Sequence, residues 1–101
     1  MGELAIMAYR ARNGRRAQLE DLSRSHIPIL RRLNLLTDKP ERVLWVDEDM
    51  LVEVFEWAEG AENLAPSLPD VKAIRLDYAE VAETIDWSEV PNGRRILTEI
   101  C

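Results

Sequence analysis

Val43-Leu44-Trp45-Val46-Asp47-Glu48-Asp49-Met50-Leu51-Val52-Glu53-Val54-Phe55-Glu56-Trp57 is the stretch that decides how this chain folds. Two runs rich in β-branched and aromatic residues flank a short acidic break, which is the pattern of an antiparallel hairpin. Asp47-Glu48-Asp49 forms its loop. Period-two alternation divides the return strand, Leu51–Trp57. Leu51, Glu53, Phe55 and Trp57 share one face, and Val52, Val54 and Glu56 share the other. Apolar side chains therefore stand on both sides of the hairpin.

Upstream, Arg15–Leu33 carries Leu19, Leu22, Ile29, Leu30 and Leu33 at helical spacing, with Asp21, Arg24, Arg31 and Arg32 mostly opposite. Pro28 has no N–H to give the Arg24 carbonyl, so a kink or break is expected near Ser25–Ile27. Asn13-Gly14 punctuates the chain before this helix, with Asn13 as the expected cap. Leu4–Arg10 precedes it as a strand, and the nearly unbroken apolar run Leu4–Tyr9 fits a central position buried on both faces. Asn34 and Thr37-Asp38-Lys39-Pro40 close the helix before the strand Arg42–Val46.

Downstream, Gly60, Pro66 and Pro69 leave room for one short helical turn at most. Val71–Glu83 then reads as a helix with the stripe Val71, Ile74, Tyr78, Val81 and Ile85. Ser88–Arg94 is a loop and Ile96–Ile100 the last strand. The order β-α-β-β-α-β, repeated strand-helix-strand within 101 residues, predicts one α+β domain. It is a ferredoxin-like sandwich, an antiparallel sheet with helices on one face.

Composition narrows the function classes. A hydrophobic fraction of 47% suits a globular chain, and the net charge of −6 opposes binding to nucleic acid or to anionic membranes. No apolar run approaches the roughly 20 residues that span a bilayer, and no signal peptide is evident, so a cytoplasmic protein is expected. Cys101 is the lone cysteine and allows no internal disulfide. No Cys/His metal set, phosphate-cradling glycine loop or nucleophile elbow is present, so no metal or cofactor is expected. Asp47-Glu48-Asp49 lacks the spacing and glycine of a calcium loop.

The segment Arg12-Asn13-Gly14-Arg15 leading into Leu19-Glu20-Asp21-Leu22, followed by a hairpin ending Val54-Phe55-Glu56-Trp57, resembles the antibiotic-biosynthesis-monooxygenase type of dimeric α/β barrel. The resemblance covers roughly residues 3 to 85. It implies a ferredoxin-like monomer whose sheet packs against a second copy to form a shared barrel, with a small-molecule cavity between each sheet and its helices. Family members often place a histidine after the matching strand. Here that stretch is Ala61-Glu62-Asn63-Leu64-Ala65-Pro66, without one, so chemistry that relies on that group does not carry over. An independent argument also predicts a homodimer. An apolar open sheet face seeks cover, and a second sheet supplies it at about 10 Å spacing.

Six residues form the candidate site: His26, Trp45, Glu53, Phe55, Trp57 and Tyr78. His26, the sole histidine, continues the inward stripe of the first helix. It serves either as a pocket-facing acid, base or donor, or as a packed histidine donating to a carbonyl freed at Pro28. Glu53 shares a strand face with apolar neighbours. It either lines a cavity or sits at an edge or dimer interface paired with an arginine. Its spacing from Glu56 sends the two to opposite faces, which excludes a glycosidase-like carboxylate pair. Trp45, Phe55, Trp57 and Tyr78, with Tyr9, offer either a flat slot for an aromatic ligand or ordinary core. Arg10, Arg12, Arg15 and Arg16 crowd the entrance of the first helix, as an anion site or as surface partners for carboxylates. The expected function is a small-molecule-binding homodimer with an apolar or aromatic ligand. The alternative is a cofactor-independent monooxygenase or isomerase acting on an aromatic or polyketide-like substrate.

Overall fold

The structure is a computed structural model that describes residues 2–46 and 48–86, and residues 96–99 as backbone. Asp47 of the hairpin loop, the Ser88–Arg94 loop, Ile100 and Cys101 lie outside the described residues. In chain order the elements are β1 (Glu3–Ala11), α1 (Arg16–Arg32), β2 (Arg42–Val46), β3 (Met50–Trp57) and α2 (Ala61–Leu64). A 3-10 turn (Ala65–Ser67), α3 (Pro69–Val81), β4 (Ala82–Ile85) and β5 (Ile96–Glu99) complete them. The sheet order is β4-β1-β3-β2-β5 with every neighbour antiparallel. Its first four strands make the ferredoxin-like arrangement, and β5 extends the β2 edge.

Two expectations are corrected at the C-terminal end. The second helix stops at Val81, not Glu83, and Ile85 belongs to an edge strand rather than to the helical stripe. Ala82-Glu83-Thr84-Ile85 pairs with Ala8–Ala11, which supplies the ladder bonds a longer helix would forgo. The strand that completes the split β-α-β pattern is thus β4, and the Ile96 segment is a fifth strand on the far edge.

On α1, the break allowed for at Ser25–Ile27 does not occur, and the cap is corrected. The helix runs unbroken from Arg16 to Arg32 with Pro28 inside it. Leu19, Ile27 and Leu30, on either side of the proline, are buried against the sheet, and this packing holds the helix together across the missing bond. Asn13 does not cap it. Arg15 stands at the N-cap without a side-chain bond. The C-terminus closes better. Asn34 adopts φ 61°, its N–H meets the Arg31 carbonyl at 2.9 Å, and Leu35 N–H reaches the Leu30 carbonyl at 3.0 Å. This is a Schellman ending, with asparagine tolerating the left-handed conformation.

The core lies between the helices and the sheet. Leu19, Ile27 and Leu30 of α1 and Val71, Ile74, Tyr78 and Val81 of α3 pack onto Tyr9, Val43, Trp45, Leu51, Phe55 and Trp57. Each fully buried aliphatic contributes roughly 1.5–3 kcal/mol. Among the described residues, Glu53 is the one charged residue on this inner face that is fully buried. On the outer face, Ala8, Val46, Met50 and Val52 form a second apolar cluster already buried within the single chain. The bare apolar face expected of the sheet is therefore confined to its other end, where Ile6 and Val54 are half-buried and Leu4 is 68% exposed.

Candidate active site

Three elements converge on one carboxylate. Central strand β3 turns Glu53 toward the helices. Ser23 and His26, three residues apart on α1, face it from one side, and Tyr78 of α3 faces it from the other. Ser23 Oγ donates to Glu53 Oε2 at 2.7 Å, and the Tyr78 hydroxyl donates to the same oxygen at 2.6 Å. His26 Nδ1 lies 3.3 Å from each Glu53 oxygen and 3.2 Å from the Tyr78 hydroxyl. Glu53 is 0% exposed and His26 9%. A carboxylate taken out of water needs such donors, because an unpaired one at this depth would cost several kcal/mol or more. The ring nitrogen facing Glu53 therefore carries its proton, which leaves Nε2 as the other functional nitrogen. Among the described residues Nε2 has no hydrogen-bond partner.

The two tyrosines stay phenols. Burial first, then the nearby Glu53 charge and its hydrogen bond, push the Tyr78 hydroxyl well above the ordinary tyrosine range. Burial followed by the Glu53 charge does the same to Tyr9, with Arg75 offsetting part of it. Their rings stack at 4.5 Å and 17°. His26 stands edge-on to Tyr78 at 5.2 Å, and Phe55 edge-on to Trp57 at 5.0 Å.

A cavity of about 430 Å³ opens beside this cluster, between α3 and the β4-β1-β3 side of the sheet. His26, Phe55, Trp57, Tyr78, Tyr9 and Ile74 give it an aromatic and apolar lining, and Arg75, Glu62 and Thr84 add polar groups. The volume falls in the range of small-molecule sites.

Four of the six candidate residues, His26, Phe55, Trp57 and Tyr78, line this cavity. Glu53 sits behind His26. It is neither at an edge nor paired with an arginine, because β3 is central and its partners are a serine, a histidine and a tyrosine. His26 likewise turns to Glu53, not to a carbonyl freed at Pro28. Trp45 stands apart. On β2 under α1, its Nε1–H donates to Glu20 at 2.8 Å, and the Arg16 guanidinium covers its ring at 4.1 Å. The arginines at the start of α1 are surface partners. Arg10 pairs with Asp49 at 3.2 Å, and Arg12 with Glu83 at 3.4 Å and the Ala79 carbonyl. Sequence reasoning missed Ser23, Arg75 and Thr84. A serine in a helix and two exposed polar residues carry no signal of their own, and only the tertiary pairing brings them to the cavity.

No family model and no curated protein matches this sequence. A solved structure does match. Tetracenomycin F2 cyclase from Streptomyces glaucescens, a type-II polyketide cyclase, superposes with a TM-score of 0.55 over 94% of this chain and 92% of its own. The fold is ferredoxin-like. At 17% identity the likeness speaks for the fold alone, so the resemblance to the monooxygenase-type dimeric α/β barrels is one of architecture. Among the described residues, no helix is long and apolar enough to cross a membrane.

Proposed function

We propose that this chain binds a small apolar or aromatic molecule between α3 and the sheet, and that His26 moves a proton on it. One observation carries the reading: a buried Glu53–His26 pair at the wall of an aromatic-lined cavity. A carboxylate that accepts the Nδ1 proton fixes the tautomer and leaves the Nε2 lone pair for a substrate proton. On a carbonyl compound, His26 Nε2 would take a proton from the carbon next to the carbonyl, and the electron pair left behind would delocalise into an enolate. In a polyketide-like substrate, that carbanion can attack a second carbonyl of the same molecule and close a ring, the C=O π pair becoming an alkoxide that takes the proton back from His26 Nε2. Reprotonation at another carbon would instead give an isomer. Trp57, Phe55 and Tyr78 would hold the ring system. The fold shared with a polyketide cyclase supports this class of substrate, and no protein-derived group other than His26 and its carboxylate is asked to react. A purely ligand-holding role uses the same lining and differs only in leaving His26 idle.

The test is hydrogen–deuterium exchange at the benzylic C1 of 2-tetralone, followed by NMR with the full chain. We expect acceleration that His26→Ala removes and Glu53→Gln reduces by about tenfold or more. Exchange equal in wild type and His26→Ala, with the ketone still quenching tryptophan emission, would leave binding without catalysis. A ketone that neither binds nor exchanges would remove both readings.

The homodimer belongs to the same proposal. Leu4, Ile6 and Val54 form the part of the outer sheet face still exposed to water, and a second copy is the natural cover. A cytoplasmic location agrees with the single cysteine.

A further inference from the structure

We infer that Arg75, Tyr9 and Thr84 form an oxyanion-binding rim on this cavity, which selects aromatic ligands bearing a negatively charged oxygen group. The inference rests on the cavity being a ligand site, and it names the ligand's chemistry.

Three observations converge. Tyr9 is 6% exposed and lines the cavity, yet its hydroxyl has no hydrogen-bond partner among the described residues. A buried hydroxyl left without a partner costs about 1–3 kcal/mol, so one pointing into a cavity marks where a ligand acceptor fits. Arg75 is the permanent cation among the described lining residues, and it forms no ion pair with any of them. In a chain of net charge −6, a guanidinium at a cavity mouth with no carboxylate against it among the described residues is available to an anionic ligand. Thr84 directly opposes Tyr9 in the β1–β4 ladder and lines the same cavity, which adds a second hydroxyl to this wall.

The acidic groups nearby are otherwise engaged. Glu62 also lines the cavity, but its side chain hydrogen-bonds Glu3. That contact, first, and the Glu62 charge, second, hold the Glu3 carboxyl above its ordinary range. Glu53 already accepts from Ser23, Tyr78 and His26 and lies behind His26 rather than in the cavity lining. Arg75, with five N–H donors in a fork, suits a planar carboxylate, sulfonate or enolate. An enolate formed at His26 would gain most from such a rim, because the charge appears where the donors already point.

The experiment uses two fluorogenic probes on the full chain: 1-anilinonaphthalene-8-sulfonate, an anion, and N-phenyl-1-naphthylamine, its neutral counterpart. Arg75→Gln should raise the Kd of the anionic probe about tenfold, equivalent to 1.4 kcal/mol, and move the neutral probe by less than about twofold. Tyr9→Phe, which keeps the stacked ring, should weaken only the anionic probe, by roughly threefold on the scale of one hydrogen bond. Far-UV circular dichroism confirms that both variants fold. Equal weakening of the two probes, or an anionic probe indifferent to Arg75, would overturn the rim and leave the cavity as a binding site. A wild-type chain that binds neither probe would overturn the cavity and the rim together.

Discussion

Replacing Glu53 by Ala tests the structure where its chemistry is most concentrated. The substitution removes the acceptor of three donors, at 2.7 Å for Ser23, 2.6 Å for Tyr78 and 3.3 Å for His26. An orphaned buried donor costs about 1–3 kcal/mol. Ser23 is fully sealed and bears a cost near the middle of that range. His26 and Tyr78 border the cavity and can turn toward water there, so each sits near the low end. The void left by the side chain adds to this, and relief of the buried carboxylate's desolvation subtracts from it. The balance is a loss of about 4 kcal/mol, in line with removing one partner of a buried charged cluster. In a domain of this size that lowers Tm by roughly 15–30 °C. Glu53→Gln keeps the shape and one accepting oxygen, and should cost about 1–2 kcal/mol. Urea titration followed by tryptophan emission measures both. A Glu53→Ala loss below about 1 kcal/mol at unchanged m-value would show that the cluster carries no buried charge, and the argument for His26 would fall with it.

Three further outcomes are expected. Tyr9 and Tyr78 ionise above their ordinary value near 10.0, through burial first and the Glu53 charge second. The unfolded chain releases these protons near pH 10 and the folded chain does not. The stability they confer is therefore intact below pH 10 and falls above it, by up to about 1.4 kcal/mol per pH unit for each phenol. Tyrosinate absorbance rising near pH 10 while the fold persists would contradict this. Leu4→Asp should shift a sedimenting dimer to monomer without lowering the monomer's stability by more than about 0.5 kcal/mol, and an unchanged sedimentation coefficient would refute the outer face as the interface. Arg31 donates to the Thr37 and Lys39 carbonyls, each at 2.9 Å, and pairs with Glu41. Arg31→Ala should cost about 1–2 kcal/mol in urea unfolding by freeing the segment between α1 and β2, and a neutral result would mean these bonds merely replace water.

The parts of the fold legible in the sequence were those whose period was unambiguous. The hairpin β2–β3 alternates over two long runs, and α1 keeps its stripe on both sides of Pro28. The β4 strand is hidden because Val71, Ile74, Tyr78, Val81 and Ile85 continue one helical spacing, and Ala82-Glu83-Thr84-Ile85 is too short to set a strand period against it. Only pairing with β1, far away in the chain, decides between them. The site divides in the same way. Glu53 is conspicuous as a carboxylate on an apolar strand face, and His26 as the sole histidine on an inward stripe. Their meeting is tertiary, since Ser23 and His26 come from one helix, Tyr78 from another, and Glu53 from the strand beneath. Trp45 and Trp57 look alike on paper. The sheet order separates them, placing one under α1 with Glu20 and Arg16 and the other beside the cavity.

The two outermost strands of the sheet, β4 and β5, both come from the last fifth of the chain and border opposite edges. A polypeptide growing from its N-terminus lacks one margin until Ala82–Ile85 is made and the other until Ile96–Glu99 is made. Thr84 meets Tyr9 across most of the chain's length, so closing that margin is a late event with a large loop-closure cost. The nascent chain thus exposes a three-stranded slab with unpaired edges on both sides, the form most open to sticking to its neighbours. Ribosome-bound intermediates of this protein should be prominent clients of chaperones, and chains arrested before Ala82 should aggregate before they lose any contact between α1 and the central hairpin.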